Sequence, residues 1–190
     1  MRTRRALSAL IAFSALAMQA AVFAALLYAP TERVMGPVQR IFYFHAPVAI
    51  TTFLAFGVTF GASVGYLLSG RPAWDAVACS AAEIGELYAT LVLVTGMLWA
   101  RAAWNTWWTW DPRLATTLVL WLIYAGYLLL RQSIDEEERR ARYAAVLGIV
   151  GFVDVPIVFM AIRWWRTIHP AVFDASGARL EPRMLAAFAV

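Results

Sequence analysis

The sequence predicts an all-α, polytopic membrane helix bundle with five complete spans and the start of a sixth. Three observations carry that expectation. Of the 190 residues, 62% are hydrophobic, and the mean hydropathy is +0.66. Five stretches reach the roughly 20 mostly apolar residues that a spanning helix needs. The cations are all arginine, and they flank the apolar runs as interfacial anchors do. A soluble domain of this length could not hide so much apolar surface in one core.

The first stretch, 7–29, follows Arg2, Arg4 and Arg5. That start resembles the basic region of a signal peptide, but the apolar run is too long for one, so an uncleaved first helix is expected. The second, 47–69, carries Gly57, Gly61 and Gly65 every four residues, a smooth stripe along which a neighbouring helix can approach closely. The third, fourth and fifth run at 77–100, 114–131 and 143–163. A sixth apolar run, 184–190, is only about a third of a span. It reads as a span cut short or as an interfacial stub. Between spans four and five, Glu136 with Arg140 and Glu138 with Arg142 fit the i,i+4 pairing of a solvated helical cap. The whole chain, 1–190, reads as one integral-membrane domain.

The net charge of +4 does not point to nucleic acid, because no basic stripe accompanies it. The single cysteine, Cys79, allows no internal disulfide, Cys-x-x-Cys redox pair or Cys-x-x-Cys-His haem attachment site. That excludes a thiol oxidoreductase and a c-type cytochrome. The arginine-rich start favours a cytoplasmic N-terminus, although arginines divide equally between the two sides. Parity gives a firmer result. The loops after spans one, three and five lie on one side, and they hold Arg40 and His45, the cluster from Trp104 to Arg113, and Arg163 to His169.

Those loops contain both histidines of the chain. His45 stands at the entry to span two, with Pro47 placed to open a helix. His169 follows span five. One histidine near an interface is ordinarily a hydrogen-bonded surface residue. Two on one side suit a haem iron, for which neutral imidazole is a standard axial ligand. A structural zinc wants four ligands, and no cysteine or carboxylate cluster supplies the others. Five of the nine tryptophans lie between Trp99 and Trp110. A plain aromatic belt would spread them over all the helix ends. Trp104, Trp107 and Trp108 share a face if the loop 101–113 is helical, making a flat apolar platform for a porphyrin. Arg40, Arg113, Arg163 and Arg166 can pair with propionates, since arginine binds carboxylates bidentately. Asp111 has three readings: a partner for an indole, a partner for Arg113, or an acid at the start of span four. Glu83, Glu86 and Asp154 are costly intramembrane acids to which no role is assigned.

From Gly96 through Trp99, Trp104, Trp107, Trp108, Trp110, Asp111 and Arg113, the chain resembles the tryptophan-rich "WWD" signature of haem-handling membrane proteins. In particular it resembles the CcmC family of system I cytochrome c maturation. Arg40 to Pro47, Ala82 to Gly85, Gly151 to Pro156 and Arg163 to His169 extend the likeness over most of the chain. The resemblance implies that His45 and His169 are axial ligands of a non-covalent, b-type ferric haem. It implies that Trp104, Trp107, Trp108, Trp110 and Asp111 hold the porphyrin edge, with Arg113 and Arg40 near the propionates. It further implies haem delivery at the periplasmic face of the bacterial inner membrane to the chaperone CcmE, beside CcmA, CcmB and CcmD. That role is delivery and presentation of haem, with assistance to its covalent attachment to the chaperone as the enzymatic alternative. The family is expected to have six spans. The competing reading is a b-type cytochrome subunit that keeps its haem and passes electrons. Such subunits usually place histidine pairs deep in facing helices, whereas both histidines here stand at loop edges.

Overall fold

The computed structural model describes residues 2–167, 169, 173–174, 177–178 and 180–190. Its helices are α1 (Arg2–Phe23), α2 (Phe42–Ser69), α3 (Pro72–Trp104), α4 (Pro112–Ser133), α5 (Glu137–Phe152), α6 (Asp154–Trp164) and α7 (Pro182–Phe188). A two-residue antiparallel pair, β1 (Phe173–Asp174) and β2 (Gly177–Ala178), completes the described elements. Among the described residues, five helical segments are long and apolar enough to cross a membrane: Arg4–Tyr28, Pro37–Ser69, Pro72–Trp104, Pro112–Ser133 and Glu137–Trp164. The chain is thus a multi-pass helical bundle, as the sequence predicts. In hydrocarbon every backbone polar group must be satisfied within its own segment, and helices do that. The third, fourth and fifth segments run past both expected ends, whereas the first ends at Tyr28 and the second at Ser69, so these two extend only at their starts.

Two compact units divide the chain, Met1–Phe44 with Ala171–Val190 and His45–Pro170. In the first unit, α1 leaves Leu10, Phe13 and Leu16 exposed, which in a membrane-spanning helix means facing lipid. One π-helical turn, Ala24–Tyr28, follows, and α7 packs against it. The contact is close because Ala24, Ala25 and Ala187 are small and buried. Phe42 stacks on Phe188 at 5.1 Å, and Arg183 lies over the Tyr28 ring at 5.1 Å. The 184–190 run thus begins as the short helix α7. In the intervening turn, the Glu32 carboxylate accepts from the Val34 and Met35 backbone N–H groups. Gly36 supplies the positive φ of 61° that closes the turn.

The second unit is built around α4, which packs on α3, α5 and α6. Phe56, Leu120, Tyr124, Tyr127 and Val158 form its core. Phe56 and Tyr124 stack face to face with ring centroids 3.6 Å apart. Small residues let the backbones close in: a Cβ on Gly85 would stand 2.4 Å from Phe56, and one on Gly151 would stand 2.6 Å from Ile123. The expected glycine stripe of α2 is used in part. Gly65 lies under the Trp74 ring and Gly57 against Phe152, while Gly61 faces open space. At the other end of the unit, Arg131 donates two bonds to Asp75, at 2.6 and 2.8 Å, tying the end of α4 to the start of α3.

Two features depart from the expected elements. Span five is broken at Val153 into α5 and α6. Pro156 has no N–H for the carbonyl of Phe152, and its ring crowds that carbonyl. The last turn of α5 tightens instead, with Val153 N–H bonding to Val150. Pro47 also lies inside α2 rather than in its first turn, because the helix begins at Phe42. A 3₁₀ turn over Pro37–Ile41 leads directly into it.

Because the Phe56 ring is pinned by Tyr124, it cannot retreat from a new methyl group. Gly85→Ala is expected to cost about 1–3 kcal/mol by overpacking. The check is a lower thermal midpoint in detergent, with Gly126→Ala unchanged because that glycine faces open space.

Candidate functional site

Local rules place each group of the site. Helix α3 ends where Asn105 adopts the left-handed conformation, φ 57°, one of the few non-glycine residues that tolerates it. Residues 105–111 are not helical. Asp111 then caps α4: its carboxylate oxygen Oδ1 accepts from the Arg113 N–H at 3.0 Å, with Pro112 at the first helical position. Of the three readings of Asp111, the acid at the start of span four is the one this bond shows. It also removes the helical face expected of the loop. Trp104 is the last residue of α3, and Trp107 and Trp108 stand on irregular chain, so the three share no helix face.

The start of α2, the end of α3, the start of α4 and the segment after α6 meet at one open cleft. Its walls include His45, Gly96, Trp108, Arg113 and His169, with an apolar remainder drawn from Phe53, Val92, Leu114 and Val158 among others. Both histidines, one of the loop tryptophans and Arg113 therefore reach a common space.

Each imidazole is held through Nδ1. His45 Nδ1 lies 2.8 Å from the Thr95 hydroxyl. His169 Nδ1 lies 3.2 Å from Asp111 Oδ1 and 3.1 Å from the Thr167 hydroxyl. The His169 backbone N–H also donates to the Thr167 hydroxyl at 3.0 Å, so the backbone of this residue is held as well as its ring. A carboxylate only accepts, so the proton sits on Nδ1 of His169 and the lone pair on Nε2. Metal-binding histidines characteristically bond through the second nitrogen in this way. Burial holds the His169 imidazole below its ordinary value of 6.5; the Asp111 carboxylate pulls it up and Arg113 pushes it down. The ring is therefore neutral, the form that can ligate.

The rings make a series. His45 meets Trp99 edge to face at 5.7 Å, Trp99 stacks with Trp104 at 6.4 Å, and Trp104 meets His169 edge to face at 5.9 Å. The remaining loop indoles diverge. Trp108 lines the cleft and touches Trp110 edge to face, while Trp110 is 78% exposed. Trp107 is also exposed, with Arg101 over its ring at 5.9 Å. Arg40 belongs to the first unit, where its guanidinium bonds the Leu26 carbonyl. Arg163 lies over Phe159, and Arg163 and Arg166 are exposed. Glu83 faces outward, with the Cys79 thiol 3.6 Å from its carboxylate. Glu86 and Asp154 are half-buried and do not line the cleft. Thr95 and Thr167 are site residues that sequence reasoning did not single out, while Gly96 and Trp99 stood at the start of the tryptophan-rich signature without a role of their own.

These features define a multi-pass helical membrane protein with two imidazoles at one cleft beside a tryptophan-rich loop. The chain belongs to the CcmC family, described as Heme exporter protein C, whose match runs over residues 1–190. It is 39% identical to the Heme exporter protein C of Bradyrhizobium diazoefficiens over 159 residues, covering 83% of this chain and 60% of that protein. It is 35% identical to the Escherichia coli protein of the same name over 143 residues, covering 75% and 58%. A ccmC-like mitochondrial protein of cytochrome c biosynthesis from Marchantia polymorpha is 32% identical over 166 residues, covering 87% and 70%. The matches thus span about three-fifths of the first two relatives' length.

With only two histidines, the titration of each can be followed by ¹⁵N-histidine labelling. His169 is expected to titrate below the ordinary 6.5. Folding favours its neutral form, so that contribution to stability is present above 6.5 and lost as pH falls through the lower folded value. Asp111→Asn removes the carboxylate that pulls the value up, and the midpoint is expected to fall further.

Proposed function

We propose that the chain binds haem non-covalently between His45 and His169 and presents it, at the periplasmic face of the bacterial inner membrane, to the chaperone CcmE. On this reading it works in cytochrome c maturation beside CcmA, CcmB and CcmD. The observation that carries the proposal is the pair of imidazoles at one cleft, each engaged through Nδ1, so that Nε2 of each is left for a metal. Among the described residues, no three His, Cys, Asp or Glu side chains come together to hold an ion. Two imidazoles alone suit a metal whose equatorial positions are already filled, as a porphyrin fills them.

The other residues fit the same cargo. Phe53, Val92, Leu114 and Val158 give an apolar wall for a flat hydrophobic ring system. Arg113 brings a guanidinium to that wall, where a propionate would find a bidentate partner. Trp108 offers an indole face at the mouth, and the exposed Trp107 and Trp110 offer apolar surface to the protein that receives the haem. Bound haem supplies the iron that the two imidazoles ligate. His169 stands on chain beyond the end of α6, a placement that suits loading and release better than permanent retention.

The test is the absorption spectrum of the detergent-purified protein reconstituted with haem. The expected result is a low-spin Soret band that is weakened or shifted in both His45→Ala and His169→Ala. Transfer to CcmE should fall in parallel. A wild-type protein that takes up no haem, or variants with unchanged spectra, would remove the ligand assignment.

A further inference from the structure

The seat of the His45 ring is made by one stretch of α3. Thr95 lies at Nδ1, 2.8 Å away. Gly96 lies beside the ring, so close that a Cβ there would stand 3.3 Å from Cε1. Trp99 meets the ring edge to face. The Thr95 hydroxyl has a single proton, which it gives to the Leu91 carbonyl at 2.7 Å. The Val92 carbonyl is farther off, at 3.3 Å. With its proton committed to the backbone, the hydroxyl oxygen can only accept from the imidazole.

The geometry points to Thr95 as a positioning residue: it accepts from the Nδ1–H of His45, fixes that tautomer, and so keeps the lone pair on Nε2, while Gly96 leaves room for the Cε1 side of the ring. The inference deepens the haem-binding reading and rests on it for the consequence, but the tautomer itself is a property of the chain without haem. The two histidines are then set by different means. A carboxylate fixes His169, and a neutral hydroxyl, oriented by its own helix, fixes His45.

The experiment uses full-length, detergent-purified protein with ¹⁵N-labelled histidine, as wild type, Thr95→Val and Thr95→Ser. Valine keeps the shape of threonine and removes the acceptor. The ¹⁵N shifts of haem-free protein above pH 8 report which nitrogen of His45 carries the proton, and His45→Ala assigns the signals. The expected result is a single Nδ1–H tautomer in wild type and Thr95→Ser, and a mixture in Thr95→Val. An Nε2–H tautomer in wild type, or an unchanged Nδ1–H tautomer in Thr95→Val, would overturn the inference. With haem, Thr95→Val is expected to weaken retention about tenfold, the scale of a lost outer partner, with recovery in Thr95→Ser. A tautomer change with no change in haem retention would count against His45 as a ligand while upholding what Thr95 does to the ring.

Discussion

One carboxylate oxygen, Oδ1 of Asp111, joins the fold to the site. It accepts from the Arg113 backbone N–H, which starts α4, and it faces Nδ1 of His169. Helix α4 is the member on which α3, α5 and α6 pack, so the group that begins the central helix also orients an imidazole. The side chain is buried, where a charge is costly unless it is fully bonded. Both bonds contribute to that compensation. The end of a helix and the aim of a ring are in this way a single problem with one solution.

The packing beneath the site follows from the solvent. Among lipid-facing helices there is little hydrophobic force to draw one helix to another, so association depends on close contact and on bonds between helices. The buried positions of the second unit are accordingly small or flat: Ala82, Ala89, Ala144 and Ala161 beside Phe56, Tyr124 and Tyr127. Asp75 with Arg131 adds a bidentate ion pair, and the Tyr124 hydroxyl reaches the Gly148 carbonyl at 3.4 Å. Large residues such as Leu10 and Phe13 of α1 stay on the outside, where the bilayer is their complement.

Much of this is legible in the sequence. Five long apolar runs separated by charged loops leave no other reading than a bundle. Parity alone brings His45, the tryptophan loop, Arg113 and His169 to the same side, and within the second unit they share a cleft. Finer features are hidden for physical reasons. The path of the loop depends on Asn105 taking the left-handed conformation, which composition does not announce, and so Trp107 and Trp110 turn away from Trp104. Pro156 marks a break in span five, but hydropathy passes over it without interruption. Thr95 and Gly96 look like ordinary small residues of a span. Only the three-dimensional placement of His45 against α3 gives one of them a hydrogen bond to make and the other a space to leave open.

The ring series from His45 through Trp99 and Trp104 to His169 has a consequence for the whole cleft. Indoles are rigid, and two of them in near-parallel stack have a thickness that thermal motion hardly alters. Placed between the neighbours of two imidazoles, they work as a gauge block, setting the gap between rings that stand on separate segments of chain. A shorter aromatic side chain at either position would change that calibration.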